Sequence, residues 1–265
     1  MTHDPKWERR LLSAWGRRAT LFEESRTLIE EIELFRYLCE LGRQWPSKAE
    51  ETPKVLFAIA QQEKPVVSET FPQLEDESFG TYRARVSSIY GSEATLLYVR
   101  GAQVRSKSLR DAIQRLLAPA WAYGYRWKHI ELEIYVGQYP WTAIGVHREE
   151  CSNIHHVICG SKEMLCWRPR ALAPKIGRPD RARYSSADEA SRAGIIPEAL
   201  RISASAGQAI YVPSRHWHVG ISSQLSVALN ISLYGVALRR LRVWADRISA
   251  LEVSHTLDQA PMSAP

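Results

Sequence analysis

The sequence predicts a mainly β protein with flanking helices, its core an antiparallel barrel or double-sheet jelly roll. Three observations carry this expectation. Short stretches of alternating or β-branched apolar residues crowd residues 129 to 233, each bounded by Gly or Pro. Their spacing is irregular and no βαβ rhythm joins them, which argues against a parallel sheet. Helical periodicity is strongest at the two ends of the protein.

Residues 7 to 45 read as helical: Leu11, Leu12, Trp15, Leu28, Ile29, Ile32, Leu34, Phe35 and Leu38 recur at three- and four-residue intervals. Pro46, Pro53, Pro65 and Pro72 then punctuate a segment that reads as loop, with one apolar run at Val55–Ala60. Ser106–Leu117 is a second amphipathic helix, expected to end near Pro119. The strand candidates follow at His129–Val136, Ile154–Cys159, Met164–Trp167, Gln208–Val212 and Leu225–Leu233. Leu238, Leu241, Trp244, Ile248 and Leu251 form a last helical stripe, and the remaining residues are small and polar. The expected organisation is a helical segment over 1–60, the β core over 61–236, a helix over 237–252 and a flexible tail over 253–265. The apolar stripes of the terminal helices leave pairing of two copies as a further expectation.

Composition narrows the class. The protein has 265 residues, 45% apolar and 24% charged, which excludes collagen-like, coiled-coil and wholly disordered polypeptides. No apolar run approaches the roughly 18 residues a membrane helix needs. The first residues, Met1-Thr-His-Asp-Pro-Lys6, lack a basic segment followed by an apolar one, so a cytoplasmic location is expected. The four cysteines, Cys39, Cys151, Cys159 and Cys166, show no C-x-x-C spacing and read as buried thiols. The net charge of +6 is compatible with nucleic acid or an acidic peptide as partner, and equally with a solvated surface.

Chemistry concentrates in two places. The first is His147-Arg-Glu149 within Gly145–Asn153. A His-x-Glu pair on a strand puts imidazole and carboxylate on one face, and with a distant second His it completes the 2-His-1-carboxylate set that binds Fe(II) with open positions. Alone the pair carries nothing, because about one is expected by chance at this composition, and His129-Ile-Glu131 is another, read as a surface strand pair. Counting in twos from His147 places Glu149, Cys151, Asn153, His155, Val157 and Cys159 on one face. A two-residue turn at Gly160-Ser161 would then pair Cys159 with Lys162 and bring a cation into the same interior. A buried Lys needs an anion, so a dicarboxylate cosubstrate is a physical match.

The second place is Pro213-Ser-Arg-His216-Trp217-His218. Its two histidines lie two apart, so strand parity does not choose between them. Downstream, Ser226, Ala228, Asn230 and Ser232 alternate with Leu225, Val227, Leu229, Ile231 and Leu233. A face of small polar residues suits a wet cavity, with Asn230 as a ligand-contacting group.

In this order, His147-x-Glu149, Asn153, Gly160-x-Lys162, Pro213-x-x-x-Trp217-His218 and Asn230 resemble the JmjC-type cupin oxygenases. The likeness is greatest to the branch holding factor-inhibiting-HIF asparaginyl hydroxylase and the ribosomal oxygenases, and it covers residues ~90 to 236. It implies a double-stranded β-helix core and an Fe(II)- and 2-oxoglutarate-dependent dioxygenase, which consumes O2 and releases succinate and CO2. It implies His147, Glu149 and His218 as catalytic metal ligands, favouring His218 over His216. Lys162 would take the C5 carboxylate of 2-oxoglutarate, with Asn153 and Asn230 near the keto-acid end. Tyr135 and Thr142, in the strand leading to the motif, are candidates for an added hydroxyl. Two departures stand out: Ile144 where the family often has a 2-oxoglutarate-binding Thr, and Gln208 in place of an acid.

The resemblance implies hydroxylation of a carbon–hydrogen bond in a side chain of a peptide or protein, a peptide natural-product precursor included. Hydroxylation of a tRNA base, demethylation and a non-catalytic cupin binding module are the alternatives. Arg168, Arg170, Lys175, Arg178, Arg181 and Arg183 lie within sixteen residues holding a single acid, Asp180. Such a loop suits an acidic peptide segment, or less well an RNA backbone. No membrane partner is expected.

Overall fold

The computed structural model describes residues 10–11, 13–23, 28–46, 53–91, 94–122, 127–172 and 184–235. Two long strands dominate it: β6 (Ser152–Trp167) and β9 (Trp217–Tyr234) run antiparallel along almost their whole length. Around them lie β1 (Thr20–Phe22), β2 (Lys54–Ile59), β3 (Gln62–Lys64), β4 (Thr95–Arg100), β5 (His129–Tyr139), β7 (Leu200–Ser205) and β8 (Ala209–Val212). The strand order is β1-β8-β6-β9-β5-β4-β2-β3, with every pair antiparallel. β6 pairs with β8 over its first half and with β7 over its second. That change of neighbour lets the sheet coil on itself. The expected mainly β jelly-roll core with flanking helices is the fold observed.

Residue patterning assigns the faces. Val227, Leu229, Ile231 and Leu233 of β9 turn outward with Leu132, Ile134 and Val136 of β5. There they meet three helices: α1 (Glu31–Arg43), α2 (Phe79–Tyr90) and α3 (Lys107–Ala122). Leu34, Phe35 and Leu38, then Phe79, Tyr82 and Val86, then Leu109, Ile113, Leu116 and Leu117 supply the helical side of this core. Each such side chain, fully buried, contributes about 1.5–3 kcal/mol of transfer free energy. On another flank, Trp141, Val146, Leu165, Trp167, Trp217 and Val219 pack with Leu172, Ile195 and Ala190 of α4 (Ala187–Arg192).

Several expectations need correction. The first helical segment is interrupted: its opening turn ends at Ala14, Gly16 takes a positive φ, and Thr20–Phe22 adds a strand beside β8 before α1 begins. The boundary at residue 60 falls inside the β2–β3 hairpin, so part of the expected helical segment belongs to the sheet. α3 runs on past Pro119 to Ala122; a Pro so near a helix end removes few hydrogen bonds. α2, β4, β7 and α4 had no counterpart in the strand and helix candidates. For α2 the signals were present, since Ser78 accepts a hydrogen bond from Thr81 N at 3.2 Å and Gly91 closes the helix in the left-handed region. The helix expected over 237–252 and the tail over 253–265 lie outside the described residues.

The Gly160-Ser161 turn does not form. β6 continues straight through it, and the ladder to β9 slips between Val157 and Cys159 and again between Gly160 and Glu163. Gly160 sits at φ 71°, where a Cβ would lie 1.9 Å from the Leu225 carbonyl oxygen. Only glycine fits there. The irregularity inverts the alternation as a turn would have done, so Lys162 still faces inward, for a different reason.

Candidate metal and cosubstrate site

His147 precedes β6 and is tied to β9 by a reciprocal backbone bridge, His147 N to His218 O at 3.0 Å and His218 N to His147 O at 2.8 Å. Glu149 follows two residues later. One ligand atom from each of His147, Glu149 and His218 lies within 4.8 Å of the others. His147 Nε2 is 3.8 Å from Glu149 Oε1, and His218 Nε2 is 3.9 Å from Glu149 Oε2. Both imidazoles turn Nδ1 toward a backbone carbonyl, His147 to Gly145 O at 2.9 Å and His218 to His216 O at 3.0 Å. These contacts select the tautomer that leaves each Nε2 lone pair pointing into the cluster. His216 stays outside it, with Nδ1 near Ser214 O.

The electrostatics suit a cation. Burial holds the His218 imidazole neutral, its pKa pushed down to about 4, with His147 adding to the effect. For Glu149 burial works upward, but His218, His147 and the Asn153 hydrogen bond outweigh it, and the carboxyl stays below its ordinary value. The result is one carboxylate and two imidazoles converging on a point.

Behind the carboxylate runs a buried hydrogen-bond network. Asn153 Nδ2 donates to Glu149 Oε2 at 2.7 Å, while Asn153 Oδ1 accepts from Asn230 Nδ2 at 3.0 Å and Ser232 Oγ at 2.8 Å. Asn230 Nδ2 also donates to Glu133 Oε2 at 2.9 Å, as does Tyr135 OH at 3.0 Å. Burial raises the Glu133 carboxyl above its ordinary pKa. The inward face of β9 thus carries Asn230 and Ser232, as the alternation predicted.

Lys162 is 2% exposed. Its ammonium donates to Tyr139 OH at 2.7 Å and lies 4.6 Å from the centre of the Tyr135 ring. Among the described residues it has no carboxylate partner, which is unusual for a buried cation. Gly220 leaves the space: a Cβ there would stand 3.3 Å from both Lys162 Nζ and Thr142 Cγ2. The hydroxyl next to Lys162 therefore belongs to Tyr139, four residues beyond the expected Tyr135 on the same alternation, and counting in twos would have found it. Tyr135 offers its ring to Lys162 and its hydroxyl to Glu133. Thr142 is buried with Oγ1 unpartnered, whereas Ile144 is 55% exposed. A turn in which Gly145 N donates to Thr142 O lifts Ile144 out of the interior.

His129 and Glu131 stay away from the cluster. His129 is exposed, and Glu131 pairs with Arg100 at 2.7 Å. The four cysteines are free, and burial pushes the Cys151 and Cys166 thiols up to about 12.

The fold matches solved structures, among them structures of an Escherichia coli protein. The X-ray structure of E. coli ycfD superimposes over 100% of this chain and 61% of its own length, with a TM-score of 0.55 and 14% identity. A crystal structure of Escherichia coli ribosomal oxygenase YcfD superimposes over 100% of this chain and 62% of its own, with a TM-score of 0.50 and 13% identity. The protein has the fold of a ribosomal oxygenase. It spans about three fifths of that protein's length. No protein-family model matches the sequence, and no curated protein matches it in sequence.

Arg148 lies over the Trp217 ring at 5.0 Å, and Arg168 and Arg170, which follow β6, are exposed. Lys175, Arg178, Arg181 and Arg183 lie outside the described residues. Among the described residues no helix is long and apolar enough to cross a membrane.

Proposed function

We propose that the protein is an Fe(II)- and 2-oxoglutarate-dependent dioxygenase that hydroxylates a carbon–hydrogen bond in a side chain of a peptide or protein. The observation that carries this reading is the convergence of His147, Glu149 and His218 on one point, beside a buried cation that has no acid partner among the described residues. The donor set fits iron: two imidazoles and one carboxylate leave positions open for a chelating keto acid and for O2. The unpartnered polar atoms fit the cosubstrate. Among the described residues Thr142 Oγ1 has no hydrogen-bond partner, and Lys162 uses one of its three donors.

When bound, iron and 2-oxoglutarate supply oxidative decarboxylation, giving succinate and CO2 and the oxidising power for hydroxylation. The protein's own residues do the rest. His147, Glu149 and His218 hold the metal, and the carbonyls of Gly145 and His216 keep the imidazoles aimed. Asn153 fixes the carboxylate. Lys162, with Tyr139 and Thr142, takes the distal carboxylate and sets the cosubstrate's depth. The surrounding Trp and Leu clusters exclude water from the reacting centre.

The substrate class rests on two supports. The E. coli protein of the same fold is a ribosomal oxygenase, which favours a macromolecular substrate. Arg148, Arg168 and Arg170 favour an acidic segment next to the modified residue. The test is anaerobic loading with Fe(II) followed by 2-oxoglutarate and O2, with succinate quantified by mass spectrometry. Succinate formed without prime substrate, and increased by an acidic peptide library but not by tRNA, is the expected result. No succinate under any condition would overturn the enzymatic reading.

A further inference from the structure

His155 is a buried polar side chain for which the hydrogen bonds of the fold provide nothing. β6 places it opposite Asn230, before the first slip in the ladder, so it shares the inward face of Glu149 and Asn153. It is 4% exposed, and among the described residues neither Nδ1 nor Nε2 has a hydrogen-bond partner. A buried imidazole left in this state is costly, and an apolar side chain of similar size would fill the position without that cost. The ring approaches Tyr135 edge-on, with centroids 6.2 Å apart. The charged and titratable groups facing it are Lys162 and, from the metal side, His218 and His147. Burial first, then Lys162, keep His155 neutral. A neutral imidazole offers one N–H and one lone pair.

The Lys162 ammonium, with donors to spare, lies 4.6 Å from the centre of the same Tyr135 ring, and Thr142, its hydroxyl unpartnered among the described residues, meets it at the space left by Gly220. A carboxylate accepts about four hydrogen bonds, so one such group has room for a donor from each of the three residues. We propose that His155 is a second recognition residue of the cosubstrate pocket, donating a ring N–H to the distal carboxylate of the acid that Lys162 binds. This inference rests on the 2-oxoglutarate reading above and goes beyond it. It makes acid recognition a joint property of a fixed cation and a neutral donor. His155 thereby favours acids whose second carboxylate reaches the depth of β6.

The test measures binding to Mn(II)-loaded protein by calorimetry, with no turnover involved. Two ligands are compared: 2-oxoglutarate, and oxalate, which chelates the metal but carries no distal carboxylate. Losing a hydrogen bond to a charged group corresponds to about 10- to 100-fold in affinity. His155→Phe should therefore weaken 2-oxoglutarate by that factor and leave oxalate within twofold. His155→Asn, which keeps an N–H donor, should recover part of the loss. Should His155→Phe fail to fold, His155→Leu takes its place in the same comparison. Equal weakening of both ligands would mean packing alone, and unchanged 2-oxoglutarate affinity would mean that water alone satisfies the ring; either overturns the inference. Absence of 2-oxoglutarate binding by the unmodified protein would instead overturn the parent reading.

Discussion

His147 and His218 are joined by two reciprocal backbone hydrogen bonds, of 3.0 and 2.8 Å, and their rings stand 4.3 Å apart at 55°. They are 71 positions apart in the sequence, yet the bridge fixes their spacing before any metal arrives. Preorganisation of this kind reduces the ordering cost of binding.

His147→Ala, Glu149→Ala and His218→Ala should each abolish Fe(II) retention and succinate formation. His216→Ala should keep both, because its ring lies outside the cluster. Metal content of anaerobically purified variants checks this. Iron lost from His216→Ala and kept by His218→Ala would reverse the assignment.

Asn153 is the link between Glu149 and the buried network through Asn230 and Ser232. Asn153→Ala should weaken Mn(II) or Fe(II) binding by about 10- to 100-fold, the usual effect of removing a residue that orients a ligand. Metal titration followed by calorimetry reads the change. An unaltered affinity would show that Glu149 is positioned without it.

Lys162→Ala should raise the 2-oxoglutarate requirement while leaving metal affinity nearly unchanged. A charge-assisted contact in a water-poor pocket is worth about 2–4 kcal/mol, or roughly 30- to 1000-fold. Tyr139→Phe, which keeps the ring and removes only the hydroxyl beside Nζ, should shift it far less. A wild-type 2-oxoglutarate dependence in Lys162→Ala would place the cation outside the cosubstrate's reach.

Gly160→Ala sets a Cβ against the Leu225 carbonyl at 1.9 Å in a backbone region that alanine avoids. A loss of about 2–4 kcal/mol, or failure to fold, is expected. Gly207→Ala is the control: Gly207 also has a positive φ, of 82°, but nothing lies within 4 Å of the added atom. It should cost about 1–2 kcal/mol. Urea unfolding of the two variants separates backbone strain from the clash at the bulge.

Arg168 and Arg170 open the basic loop. Exposed charges contribute about 0.2–1 kcal/mol each, so single neutralisations should look almost normal. A triple variant that adds Arg178→Gln to changes at both should bind an acidic peptide more weakly and with a flatter salt dependence. Succinate formation without prime substrate should be unaffected. Full peptide affinity at low and high salt would reduce the loop to a connector.

Local pattern was enough to assign the inner and outer faces of β9 and the convergent His and Glu. Alternation with a period of two is local, and it survives folding wherever one face is buried. Parity left His216 and His218 equal. The backbone bridge from His147 to His218 separates them, and no local pattern encodes a contact over so long a separation. The inward turn of Lys162 followed from the expectation of a hairpin at Gly160-Ser161, but tertiary structure achieves it with an irregular ladder in one continuous strand. Glycine followed by a small polar residue is compatible with either geometry, and the close passage of Leu225 selects between them. Tertiary packing likewise brought Tyr139 to Lys162 and moved Ile144 out of the interior. It also left His155 buried without a partner. These outcomes depend on which strands meet inside the jelly roll, and strand pairing over long separations is set by the packing of the whole core.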